Sequence, residues 1–135
     1  MECVVFNTEA LLAYYLGEAG GDVVMRLLES VSGRKIKGCI NIVDLAELYY
    51  ILHRKSPAAA DEKVRNLRAF GVEVIGVDCK QCLWRVAAQI KSGSAISLAD
   101  AFAAATAKLC QGRLVTGGDP EFDRLGIPLI KIRSS

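Results

Sequence analysis

The sequence predicts an α/β protein, a three-layer α/β/α sandwich built on a mostly parallel sheet of about five strands. Three observations point there. Short apolar runs at residues 3–6, 39–40, 72–77, 113–116 and 128–132 are spaced by longer segments. The runs are continuous rather than alternating, as expected of parallel strands buried on both faces. The segments between them carry helical periodicity and end in cap, glycine or proline residues, so strand and helix alternate along the chain. Right-handed crossovers then bring the carboxyl ends of the strands to one edge of the sheet, where open α/β sheets bind their ligands.

The elements follow in order. The first strand, 3–6, stops at Asn7, and Thr8 is the expected N-cap of a short helix with Leu11, Leu12 and Tyr15 on one face, closed by Gly17. Gly20 and Gly21 open a second helix. Asp22 suits its amide end, and Val23, Val24, Leu27, Leu28 and Val31 form its core face. A polar, basic turn over 32–37 leads to a very short strand, and Asn41 caps the longest apolar helix, 42–54. Leu45, Leu48, Tyr49 and Leu52 make its broad inner face. Ser56 and Pro57, cap and first-turn proline, start a helix that reaches Phe70 and ends at Gly71. Residues 72–77 are rich in β-branched side chains. Asp78 is the expected cap of a helix over 79–91, with Leu83, Val86, Ala87 and Ile90 inward.

The stretch 97–119 organises the chain. Ser97 caps a helix of small residues, and Asp100 stands three positions on, where a capping-box acid belongs. Gly112 is the expected helix stop. Residues 113–116 form a strand, and Gly117, Gly118 and Asp119 turn at its far end. Pro120 begins a helix of one to two turns carrying Phe122 and Leu125, Gly126 ends it, and 128–132 is the last strand.

A length of 135 residues predicts one domain, 1–135, able to bury roughly two-thirds of its unfolded surface without disulfides or a structural metal. Seventeen basic against fifteen acidic residues leave +2, which is no polybasic footprint for nucleic acid. No run approaches the ~18 apolar residues of a membrane span, and the first residues lack a secretion signal. Five cysteines, an odd number, fit a reducing cytoplasm better than a disulfide framework.

Four polar residues are expected to meet at the strand ends: Asn7, Glu47, Asp100 and Asp119. Crowded carboxylates repel, and burial raises the cost. A hard divalent cation, Mg2+ or Mn2+, relieves both and can support phosphodiester hydrolysis. Each residue also has a plain structural role open to it: Asp100 as capping-box acid, Asp119 as cap of the Pro120 helix, Asn7 as strand stop. Glu47 is the hardest to explain that way, because its neighbours within one turn are mostly apolar.

Four segments, in order, resemble the PIN-domain family, and within it the VapC-type ribonuclease toxins of prokaryotic toxin–antitoxin pairs. They are VVFNTEALLAYY at 4–15, INIVDLAELYY at 40–50, SLADAFAAA at 97–105 and LVTGGDPEF at 114–122. The resemblance implies an Mg2+- or Mn2+-dependent endoribonuclease, with Asp100 and residue 7 on the main ion, and Glu47 and Asp119 completing the centre. It implies Thr8 and Thr116 in support and products with 5′-phosphate and 3′-hydroxyl ends. Its expected partners are single-stranded or loop RNA, an antitoxin protein and a second copy in a homodimer, with no membrane. The family carries an aspartate where this chain has Asn7, and an amide cannot match a carboxylate as a ligand. A weakened or inactive nuclease is therefore expected, the alternative being a non-catalytic PIN-fold module that binds RNA or protein. A phosphoacceptor domain of flavodoxin-like topology fits less well, since it wants an acid at position 7. The double glycine, where many relatives have one, puts Asp119 in question.

Other features weigh less. Arg34, Lys35, Lys37, Arg54 and Lys55 are candidates for a basic rim or for plain solvated surface. Tyr14, Tyr15, Tyr49 and Tyr50 fit partner contacts or ordinary packing. Cys79 and Cys82 have redox spacing, but zinc has no second pair, and His53 closes a basic-ended helix. Trp84 reads as core or interface, and neither phosphate-loop nor dinucleotide glycine signature is present.

Overall fold

Strand β1 (Cys3–Phe6) divides the core in two. Val4 and Phe6 fall in one apolar cluster and Val5 in the other, as the period of two in a strand requires. The computed structural model describes residues 1–78 and 82–134. After β1 come α1 (Thr8–Tyr15), α2 (Gly21–Ser32), β2 (Lys37–Asn41), α3 (Ile42–Lys55) and α4 (Pro57–Ala69). Then follow β3 (Glu73–Ile75), α5 (Leu83–Ser92), α6 (Leu98–Leu109), β4 (Arg113–Thr116), a 3-10 turn (Pro120–Leu125) and β5 (Leu129–Lys131). Leu11, Leu28, Leu48 and Leu67, from α1 to α4, cover the Val4 face. Leu83 and Ala87 of α5, the alanines of α6 and Phe122 cover the Val5 face. The result is the expected three-layer sandwich.

The sheet order is β3-β2-β1-β4-β5, and all four pairings are parallel. From β1 the chain builds outward through β2 and β3, then crosses back to lay β4 and β5 on the other side. Strand order thus reverses between β1 and β4, which are hydrogen-bonded neighbours through Val5 and Leu114. Helices fanning to opposite faces leave a crevice at such a point, at the carboxyl ends of the strands.

Local chemistry sets most boundaries. Asn41 Oδ1 accepts from the Val43 amide at 2.9 Å, Ser56 Oγ from Ala59 at 3.2 Å, and Ser97 Oγ from Asp100 at 3.1 Å. Each is an N-cap that satisfies an orphan amide. Helix α6 buries six alanines along its length and so packs close to the sheet and to α5. Thr106 Oγ1 donates to the Phe102 carbonyl at 2.8 Å and accepts from Asn41 Nδ2 at 3.0 Å, fastening α6 to the end of β2.

Three expectations are corrected. Thr8 is not the cap of α1. Asn7 is, its Oδ1 accepting from the Ala10 amide at 2.9 Å, because Asn7 is the last extended position after β1 and Thr8 is already helical. Gly112 does not supply the left-handed turn after α6. Gln111 does, at φ 53°, while a Cβ on Gly112 would stand 2.9 Å from the Cys3 carbonyl, so that glycine serves close approach to β1. Asp78 does not cap α5, which starts at Leu83 behind Cys82 in a left-handed conformation. Cys79, and with it the first turn of the helix expected from 79, lies outside the described residues. β2 also runs longer than expected and β3 shorter.

Candidate functional site

Asn7 ends β1 and residues 117–119 follow β4, so both sit at the reversal of strand order. Asn7 is fully buried. Its Oδ1 is committed to the α1 cap, and its Nδ2 has no partner. Asp100 lies in the first turn of α6, the helix that leads into β4, and its backbone amide is the one Ser97 caps. Glu47 lies on α3, half-buried. Asp119 is half-buried, with Oδ1 accepting from the Glu121 amide at 2.9 Å, so it does cap the turn it precedes.

The electrostatics show which side chains are neighbours. Burial pushes the Asp100 carboxyl up to about 6. A hydrogen bond from Ser97 partly offsets that, and the charges of Glu47, Glu9 and Asp119 add to it. Carboxylates from α3, α1 and the turn after β4 thus share one field with Asp100. Glu9 was not anticipated from sequence. It is held by Arg133, whose other nitrogen donates to the Ala19 carbonyl at 2.8 Å. The second glycine has a backbone reason, and the first leaves room for Glu9 as Arg133 holds it. A Cβ on Gly117 would meet the carboxylate of Glu9, and Gly118 adopts φ 124°, a conformation that side chains resist.

A second acid missed from sequence is Asp44. It is completely buried on α3, three residues before Glu47 on the same helix face. Thr8 Oγ1 lies 3.2 Å from both the Asp44 carbonyl and its Oδ1, and donates to them, while Oδ2 has no partner. Burial, then the charge of Asp100, holds this carboxyl well above the usual range; Thr8 works against that and Glu47 adds to it. The signal was available as two acids spaced i, i+3 on an apolar helix. Thr8 and Thr116 are both buried, and Thr116 Oγ1 accepts from the Gly118 amide at 3.4 Å.

Every group in this cluster offers oxygen, which suits hard cations such as Mg2+ or Mn2+. The unpartnered Asp44 Oδ2 fits such an ion. Among the described residues, no three His, Cys, Asp or Glu side chains stand grouped to hold one as they are.

The raised Asp100 carboxyl makes stability depend on pH. Its folded value of about 6 exceeds the ordinary 3.8, so between those values the folded chain holds more protons than the unfolded one. Stability contributed this way is present at low pH and is lost as pH rises through about 6. Asp44 acts in the same direction. The metal-free protein is expected to melt higher near pH 5 than near pH 7.5, and Asp100→Asn should reduce the difference, both read by calorimetry.

Of the five basic candidates, Lys37 and Arg54 have partners of their own. Arg34, Lys35 and Lys37 precede or begin β2, at the opposite edge of the sheet, and Lys37 pairs with Glu73 at 3.4 Å. Arg54 lies over the Tyr50 ring, 4.9 Å from its centroid. Tyr14, Tyr15 and Tyr49 pack against the first core cluster, Tyr15 and Tyr49 bonding Asn66 and Asp61. His53 is exposed beside Tyr49, and Trp84 is half exposed. Among the described residues no helix is long and apolar enough to cross a membrane.

Comparison with known proteins places this geometry. The chain superposes on a chain of the DNA-bound VapBC complex of Salmonella typhimurium with a TM-score of 0.74 at 20% identity, covering 98% of this chain and 100% of that one. For VapBC2 of Rickettsia felis, bound to a DNA fragment from its promoter, the values are 0.72 and 19%, with 96% and 98% covered. For FitAcB of Neisseria gonorrhoeae they are 0.71 and 20%, with 96% and 97% covered. These likenesses establish a shared fold. No curated protein sequence matches the chain. The model of the PIN domain matches residues 4–128, nearly the whole length, and the chain belongs to the PIN-domain family.

Proposed function

We propose that this chain is a metal-dependent endoribonuclease, the toxin of a type II toxin–antitoxin pair acting in the cytoplasm. The observation that carries the reading is the carboxylate cluster itself: Asp100, raised first by burial, is raised further by Glu47, Glu9 and Asp119 at the point where the sheet order reverses. Such repulsion is costly unless a cation shares the site. Asp100, Glu47 and Asp119 would hold Mg2+ or Mn2+ together with the residue at position 7. The ion, when bound, would offset charge developing on a phosphodiester and acidify water.

The chain's own groups orient and exclude. Asn7, buried between β1 and α1, caps the helix. Thr8 and Thr116 fix the Asp44 carboxylate and the turn to Asp119. With position 7 an amide, the centre loses one charge there, which taken alone weakens its grip on a cation. Single-stranded RNA suits such a site better than a duplex, since its phosphates and bases can splay. The fold shared with chains of VapBC and FitAB complexes supports an antitoxin partner and pairing with a second copy.

Asn7, and the lack of a ready three-ligand group among the described residues, favour the second reading, a PIN-fold module that binds RNA or protein without cutting. Defined single-stranded RNAs incubated with the chain and Mn2+ decide between them. Cleavage that needs Mn2+ and stops with chelator supports the nuclease. Retention of intact RNA under every condition overturns it in favour of the module.

A further inference from the structure

We propose that Asp44 supplies the carboxylate that Asn7 lacks, so that the acidic centre keeps its full charge with one member moved from the end of β1 to the first turn of α3. This rests on the metal-centre reading above. An aspartate at position 7 would cap α1 with one oxygen and leave the other facing the crevice. Asn7 engages its single oxygen with the Ala10 amide, and its Nδ2, buried and unpartnered, is a donor that brings no negative charge to a cation.

Asp44 shows the missing division of labour. Its Oδ1 is fastened by Thr8, the residue next to Asn7, and its Oδ2 is buried with no partner. Helix α3 packs against both α1 and α6, and the Asp44 carboxyl, buried first of all, also feels the charges of Asp100 and Glu47. A carboxylate with no exposure and a free oxygen is expensive unless something positive shares the site. Among the described residues no Lys, Arg or His forms an ion pair with it. Thr8 thereby becomes a positioning residue for Asp44.

The test is Mn2+ binding by the intact chain, measured by titration calorimetry and by the electron paramagnetic resonance of free Mn2+. Asp44→Asn is expected to raise the Mn2+ Kd by roughly 10- to 100-fold. Asn7→Asp alone should gain no affinity, because a second buried charge then crowds the first. The exchange Asn7→Asp with Asp44→Asn should restore binding to the level of the unaltered chain. Unchanged binding by Asp44→Asn, or tighter binding by Asn7→Asp alone, overturns the proposal while Asp100→Asn still abolishes binding. If Asp100→Asn also binds as the unaltered chain does, the metal-centre reading itself falls. Should Asp44→Asn not fold, the exchange variant decides alone: restored binding supports the proposal and lost binding overturns it.

Discussion

Asp100→Asn is expected to end Mn2+-dependent RNA cleavage while raising the melting temperature of the metal-free chain. The loss should be roughly 10^3-fold, since a bound ion supplies several kcal/mol of charge stabilisation and each ~1.4 kcal/mol is tenfold in rate. The gain in stability has the same origin. At neutral pH the Asp100 carboxylate is held ionised against burial and against Glu47, Glu9 and Asp119, and an amide of the same shape removes that repulsion. The fold should suffer little, because the Ser97 cap engages the backbone amide of residue 100, and the amide oxygen of an asparagine can still accept from the Ser97 hydroxyl. Opposite movement of activity and stability is the signature of a charge kept for function. Cleavage assays beside thermal melts at neutral pH check it. Retained cleavage, or a lower melting temperature, refutes this account of Asp100.

Phe122→Ala is expected to cost about 3–5 kcal/mol, a large part of the ~5–15 kcal/mol that stabilises an ordinary domain. Phe122 is 1% exposed and is among the largest side chains of the α5–α6 cluster, beside Leu83, Ile96 and Leu114. At this size the melting temperature should fall by roughly 10–20 °C. The effect should reach the site as well. Phe122 belongs to the turn that Asp119 caps, and its own amide donates to the Asp119 carbonyl at 3.2 Å. Phe122→Leu keeps most of the apolar volume and should recover most of the loss. Urea unfolding with an unchanged slope would attribute the shift to the native state.

Where the chemistry is local, the chain could be read directly. β1 and β4 fall at 3–6 and 113–116 as expected, because continuous apolar runs end there in turn residues. Asn41, Ser56 and Ser97 cap their helices because each side chain answers an amide two or three residues away. The failures involve distant partners. Thr8 and Asn7 are both good caps, and what separates them is Asp44, thirty-six residues on, which takes the Thr8 hydroxyl. Glu47 stood out as an acid in an apolar helix. Asp44 did not, since an acid in a first turn has an ordinary explanation in the helix dipole. Its burial comes from α1 and α6, which no local pattern displays. Glu9 was hidden for the same reason: its partners are Arg133 and Asp100, both far along the chain.

The pairing of β1 with β4 also bears on synthesis. Val4 lies against Arg113 in the sheet, although most of the polypeptide separates them in order of translation. Contacts so far apart form late, after the intervening loops have closed. A nascent chain that has already exposed Asn7, Asp44 and Glu47 therefore has no assembled crevice until residues 113–119 have left the ribosome and docked. A crevice built on this strand order is complete only once both halves of the sheet have paired.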